Sequence, residues 1–399
     1  MRLALILSSL LGCLAACARS NGNAPASVVS DSAGITIVAS RQPAWQPGQA
    51  WSVAPAPDLE IGVEDGDSPY LLSRVAGAIR LDDGRIVVAD GGSNQLRFYD
   101  RDGRFLTAVG RSGSGPGEFE YIRALGRCGA DSIYAFDLHW GLKAYDRSGS
   151  LAREAALHEP GTQRTPYALS CSRTGRFLIT GWGEQTLEPR IGLYRAFAPV
   201  WLLDGAGEPL AQLGEFPSSE RLGTERDSRP HPFGRATVLA LDAEHVFLGT
   251  GDAFEIRVYD MTGVLVRLLR VLGNDLGIEA DDLAQYRADR LDGVAPGQRP
   301  VLERELRDMP MPSGFPAYDR LMLDPDGKLW VRRFRRPGSS SVTWAVLGPD
   351  GVLLGDVTTP PGLEVTEIGG DYVLGVHQDD LGVQRVRLHR LTRTGPRAR

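Results

Sequence analysis

Asp100-Arg101-Asp102-Gly103 opens a series of four-residue turns that continues at Asp146-Arg147-Ser148-Gly149, Asp204-Gly205-Ala206-Gly207 and Asp260-Met261-Thr262-Gly263, with the variant Gly348-Pro349-Asp350-Gly351. Each lies between two short hydrophobic runs. The leading Asp can accept hydrogen bonds from the turn backbone, and the Gly can take the φ > 0 position of a bulged hairpin. A motif recurring at such intervals signals a repeat architecture built from hairpins.

Working outward from these turns, each repeat reads as four strands. In the first, Val75 to Leu81 leads through Asp82-Asp83-Gly84 to Arg85-Ile86-Val87-Val88-Ala89-Asp90; Gln95 to Tyr99 then crosses the Asp100 turn to Phe105 to Val109. The later second strands are Ser132 to Asp137, Arg176 to Thr180, His245 to Gly249, Lys328 to Arg332 and Tyr372 to Val376. β-Branched and aromatic runs bounded by Gly, Asp and Pro are the strand signature. Six second strands predict six four-stranded blades, an all-β, six-bladed β-propeller whose edges are short and protected.

Ring closure is also written in the chain. Fourth strands end in an apolar residue followed by Gly at Val109-Gly110, Leu213-Gly214 and Leu272-Gly273, and the same ending appears alone at Asp58-Leu59-Glu60-Ile61-Gly62. The C-terminal repeat supplies three strands within Leu363 to Leu391. The N-terminal strand is therefore expected to complete the C-terminal blade and hide its edge, with Gly34 to Ala39 adding an outer strand there. A short helical insertion between blades four and five, residues 276–316, is expected from Asp281 to Arg287 and Leu302 to Leu306, with Leu283, Tyr286 and Leu306 on the apolar face.

The segment Val88-Ala89-Asp90 with Asn94, the Tyr99 to Gly103 turn, Phe105, and Gly113-Ser114-Gly115-Pro116-Gly117-Glu118-Phe119 at the crossing to the next blade resembles the NHL-repeat type of propeller. The pattern is sharp over the first blade and degenerate later. It implies the architecture, with Asp90 and Asn94 as structural residues of the blade turn.

At the N-terminus, Arg2 precedes an apolar run from Leu3 to Leu11 and then Leu14-Ala15-Ala16-Cys17. This resembles a bacterial lipoprotein signal, residues 1–16, which implies an acylated Cys17 at the head of the mature chain. The run is shorter than the roughly 20 apolar residues a membrane span needs. Residues 17–33 read as a tether, 34–391 as the propeller and 392–399 as a tail. The absence of Asp at position 18 implies, by resemblance to the usual sorting pattern, the outer membrane facing the periplasm.

Net charge of −6 gives no reason to expect nucleic-acid binding, and about 380 mature residues suit one monomeric propeller. Cys128 and Cys171 fall at matching places in neighbouring blades, where an oxidising compartment would allow a disulfide.

Inner strands line a propeller's channel, so residues at their entries converge on one mouth. Blade alignment places Arg74, Arg123, Arg164, Tyr167, Arg235, Tyr318, Asp319 and Arg320 there, with His231 on a neighbouring loop. Forked guanidinium donors at a funnel suit a carboxylate or phosphate; alternatively these arginines pair with acidic neighbours. His139 beside Trp140 and the aromatic Trp182 also fall on loops. The six histidines show no metal-ligand spacing, the paired aspartates of the turns lack a calcium loop's distal Glu, and no G-x-S-x-G elbow is present. No cofactor or metal is expected. The reading is a binding module for an envelope protein, peptide or glycan. A lactonase-like hydrolase or lyase with its site in the central channel is the alternative.

Overall fold

The computed structural model describes residues 25–394 apart from 129–131, 138–140, 163, 165, 167, 182–189 and 226. Cys17, the signal segment, Tyr167, His139, Trp140 and Trp182 therefore lie outside the described residues. Six blade sheets, antiparallel apart from one added strand in blade four, follow one another along the described chain and form a six-bladed propeller. Their inner strands are Val75–Arg80, Ala124–Arg127, Ala168–Cys171, Val238–Leu241, Tyr318–Leu323 and Leu363–Ile368.

The second strand of each blade explains why the ring packs. Ile86–Asp90 is buried along its whole length. Because successive side chains point to opposite faces, Ile86 and Val88 join the core between the last and first blades, while Val87 and Ala89 join the core between the first and second. The described residues contain six such hydrophobic clusters, one at each junction of neighbouring blades. Outer strands face water, and Leu151–Ala156 alternates between exposed and half-buried positions.

The recurring turns work as expected. Asp100 Oδ1 accepts the N–H groups of Asp102 at 2.9 Å and Arg104 at 2.8 Å. Asp146, Asp204 and Asp260 each make the same pair of bonds. The turn glycine of the first copy, Gly103, has φ +81°, which an L side chain rarely adopts. All these turns lie on one face of the ring, termed here the turn face. The crossings between blades and the loops joining second to third strands lie on the opposite face, which carries the mouth.

Leu59–Ile61 pairs antiparallel with Val386 to Leu388, so the N-terminal strand does complete the C-terminal blade. A different fate meets the segment before it. Ile35–Ser40 adds to blade four, parallel to Leu265–Val271, and Ser27–Ser32 pairs with it as the outermost strand. The expected extra strand on the C-terminal blade is thus corrected: Val38 is 1% exposed and belongs to the core between blades four and five, where it packs with Leu269 and Leu353. Gly351, at φ +86°, leaves room there for Leu269 and Val38. Ser27–Ser32, read as tether, is strand. Thr392, read as tail, ends the strand Gln384–Thr392, and Arg393 pairs with Asp324 at 2.9 Å and Asp326 at 2.6 Å.

Residues 276–316 carry two helices, α1 (Ala280–Leu291) and α2 (Arg299–Asp308). Glu279 and Asp282 form a reciprocal capping box that starts α1. Leu306 is buried, and Tyr286 packs on Phe233 with ring centres 4.9 Å apart. No described helix is long and apolar enough to cross a membrane.

Candidate functional site

The mouth of the channel is built by the starts of the inner strands. Most of the arginines predicted there turn inward to neighbours. Arg74, at φ +49°, donates to the Gly91 carbonyl at 2.6 Å and covers the Tyr121 ring. Arg235 grips Glu220 through Nε and Nη2, at 3.0 and 2.8 Å, and reaches Asp252 at 3.3 Å. Burial alone would push the Glu220 carboxyl up, but the Arg235 fork holds it below its ordinary value. Arg123 anchors its backbone N–H on the Phe136 carbonyl at 2.7 Å, and Arg164 closes the exposed turn that begins at Glu159. Tyr318 is fully buried and donates its hydroxyl to the Glu255 carbonyl at 2.5 Å, which makes it a strut of the blade. Arg235 and Arg320 thus take the paired alternative with acidic neighbours, and Arg74 takes a backbone carbonyl.

Asp319 and Arg320 belong to one ion-pair network through Arg332 and Glu364. A bulge between Tyr318 and Arg320 lets both neighbours reach charged partners. Asp319 accepts from Arg332 Nε at 2.6 Å, and Glu364, on the inner strand of the last blade, accepts from Arg320 and from Arg332 Nη1 at 2.8 Å. Burial raises the Asp319 carboxyl above its ordinary range, against the pull of Arg332.

A second ionic knot lies at the turn-face end of the channel. Arg127 pairs with Asp82 at 2.5 Å and approaches Glu367 at 3.7 Å, while Glu367 accepts the Arg80 backbone N–H at 2.6 Å. Burial raises the Glu367 carboxyl, and Arg80 covers the Tyr372 ring at 4.8 Å. Sequence reasoning missed Arg332, Glu364, Arg127 and Glu367. Their signal was a charged residue recurring inside an inner or second strand, where the pattern otherwise demands apolar side chains.

Below the helical insertion the chemistry changes. Phe233 is the hub of an aromatic cluster, in edge-on contact with Tyr286, Phe315, Phe334 and His231. His231 is 4% exposed. Its Nδ1 accepts the Phe233 N–H at 3.0 Å, and burial lowers its pKa, so it is neutral at physiological pH. A cavity of about 200 Å³ opens beside this cluster, lined by Asn274, Leu276, Phe315, Arg333, Phe334 and Arg336 among others. Phe315 and Phe334 stack at 5.3 Å, and the Arg336 guanidinium lies 5.0 Å above Phe315. Rigid aromatic surface with a few fixed polar groups is the usual makeup of a recognition pocket.

Among the described residues no three His, Cys, Asp or Glu side chains are placed to hold a metal ion. Cys128 and Cys171 form a disulfide across blades two and three, with Cα atoms 5.5 Å apart.

A family model described as a 6-bladed beta-propeller matches residues 70–138, the first blade and part of the second. The chain is a six-bladed β-propeller. Similar solved structures include a candidate exported protein of Bacteroides fragilis, 13% identical over 90% of this chain and 100% of that one, with a TM-score of 0.47. A DUF4221-family member from Bacteroides vulgatus is 11% identical over 86% of this chain and 99% of its own, TM-score 0.48. Virginiamycin B lyase from Staphylococcus aureus is 11% identical over 86% and 99%, TM-score 0.40. No curated protein matches the chain.

Proposed function

We propose that this propeller is a lipid-anchored binding module of the cell envelope, held through Cys17 at the outer membrane on the periplasmic side. It takes an envelope protein, peptide or glycan at the mouth, beneath the helical insertion. The observation that carries this reading is the cavity beside Phe315 and Phe334. It couples a stacked aromatic wall to the guanidinium of Arg336, and π-faces and forked donors are the groups that dominate recognition energy. The Cys128–Cys171 disulfide supports an oxidising compartment.

The ionic groups of the channel favour the binding reading over catalysis. Asp319, Arg320, Arg332 and Glu364 neutralise one another, as does Arg127 with Asp82. A hydrolase or lyase in the channel remains the second reading, and the raised carboxyls of Asp319 and Glu367 favour it, since perturbed carboxyls mark acid–base sites.

Equilibrium dialysis of the mature domain against short aromatic peptides and cell-wall oligosaccharides, followed by mass spectrometry, separates the two. Retention of an intact compound is the expected result. Release of a cleaved or rearranged product would replace the binding module with the enzyme.

A further inference from the structure

We infer that the propeller is held with its mouth face toward the bilayer, so that Leu381, Ile191 and Val301 reach the lipid headgroup layer and the ligand proposed above is one presented at the membrane surface. This rests on the anchor at Cys17 proposed above and adds to it a direction. The direction comes from the path of the N-terminal hairpin. Ile35–Ser40 runs parallel to the fourth strand of blade four, and Ser27 pairs with Ser40. The Arg41 N–H bonds to the Ala26 carbonyl at 2.7 Å, and the Leu272 N–H to Ser40 at 2.9 Å. The chain therefore enters the domain at the mouth-face corner of blade four, where the insertion also leaves it.

Nine residue steps separate Cys17 from Ala26, and at full extension they reach about 30 Å. Blade strands of five to seven residues stand roughly 20 Å tall. The mouth-face rim of blade four is thus within reach of the membrane with slack, whereas bringing the turn face to the same surface uses up most of the tether.

A second observation is independent of that path. The exposed large apolar side chains include Leu381 at 77%, Ile191 at 72% and Val301 at 62%. Leu381 caps the turn between the second and third strands of blade six, Ile191 precedes the small sheet formed by Gly192–Tyr194, Arg221–Gly223 and Ser228–Pro230 above blade three, and Val301 is on α2. All three project from the mouth face, on different loops. Separated apolar tips suit a headgroup layer, into which each can dip; the turn face carries less exposed ones, Val264 at 57%, Leu106 at 50% and Leu210 at 49%.

The test uses full-length, lipidated protein on phospholipid vesicles carrying a nitroxide-labelled headgroup. Val301→Cys and Leu381→Cys place a fluorophore on the mouth face; Val264→Cys and Leu210→Cys, both beside recurring turns, place it on the turn face. The expected result is at least threefold stronger quenching from positions 301 and 381. Equal quenching, or stronger quenching from 264 and 210, overturns the orientation while leaving the anchor intact. Co-sedimentation of wild type and Cys17→Ala with the vesicles tells the failures apart: wild type left in solution removes both anchor and orientation.

Discussion

Replacing both Cys128 and Cys171 by Ala should destabilise the propeller by an amount that chain entropy sets. The bond spans 43 residues, and a closed loop of that size removes roughly 13 cal/mol/K from the unfolded chain, or about 4 kcal/mol at 25 °C. Unfolding entropy of ~2.1 cal/mol/K per residue, over about 370 residues, converts this into a fall in Tm of ~5 °C. The site should add little strain of its own, because both sulfurs lie in the apolar core between blades two and three and Ala fits there. The double variant is a better probe than a reducing agent, which must first reach a cysteine that is 0% exposed. Calorimetric scans of wild type and double variant at equal concentration provide the measurement. An unchanged Tm, with two free thiols titrating in unfolded wild type, would refute the bridge and the entropy argument together.

Three further outcomes follow, two from buried carboxylates and one from the aromatic cluster. Asp324→Ala strips a buried carboxylate from the Asp326 and Lys328 N–H groups, the Trp330 indole and Arg393; about 3–5 kcal/mol should be lost in urea titrations, against under ~0.5 kcal/mol for the exposed Asp102→Ala. Glu367→Gln should make the domain more stable than wild type at pH 8. The folded carboxyl titrates above its unfolded value, so ionisation opposes folding as pH rises through that window, and the advantage should vanish below about pH 4. Phe233→Ala removes the hub of the cluster under α1 and should cost about 3–5 kcal/mol. It should also make residues 293–298 a preferred protease cut, whereas unchanged proteolysis would show that α1 is held by other contacts.

The parts of this fold that sequence exposes are those whose physics is local. An Asp that bonds its own turn and a Gly at positive φ act within five residues, so Asp100 to Arg104 could be read directly. Ring closure at Leu59 to Ile61 was legible because an unpartnered strand ending needs a sheet. Ile35–Ser40 was misplaced because a parallel pairing has no turn to fix its register, and only the tertiary slot for Val38 decides it. The site followed the same division. The local partners of Arg74 and Arg235, the Gly91 carbonyl and Glu220, depend on how crossings fold and could not be read from the strand pattern. Glu364 joins Arg320 and Arg332 across two blades, 44 and 32 residues away in sequence. The aromatic cluster beside the cavity gathers Phe233 from one crossing, Phe315 from the end of the insertion and Phe334 from a loop, a convergence no local pattern carries.

The most direct test of the binding reading is an isothermal titration of a compound retained in dialysis against wild type, Phe334→Ala, Arg336→Ala and, on the turn face, Arg101→Ala. Binding should be at least tenfold weaker for the first two variants, about 1.4 kcal/mol, and unchanged from wild type for the third. Undiminished binding by Phe334→Ala and Arg336→Ala, with loss in Arg101→Ala, would contradict it and move the site to the opposite face.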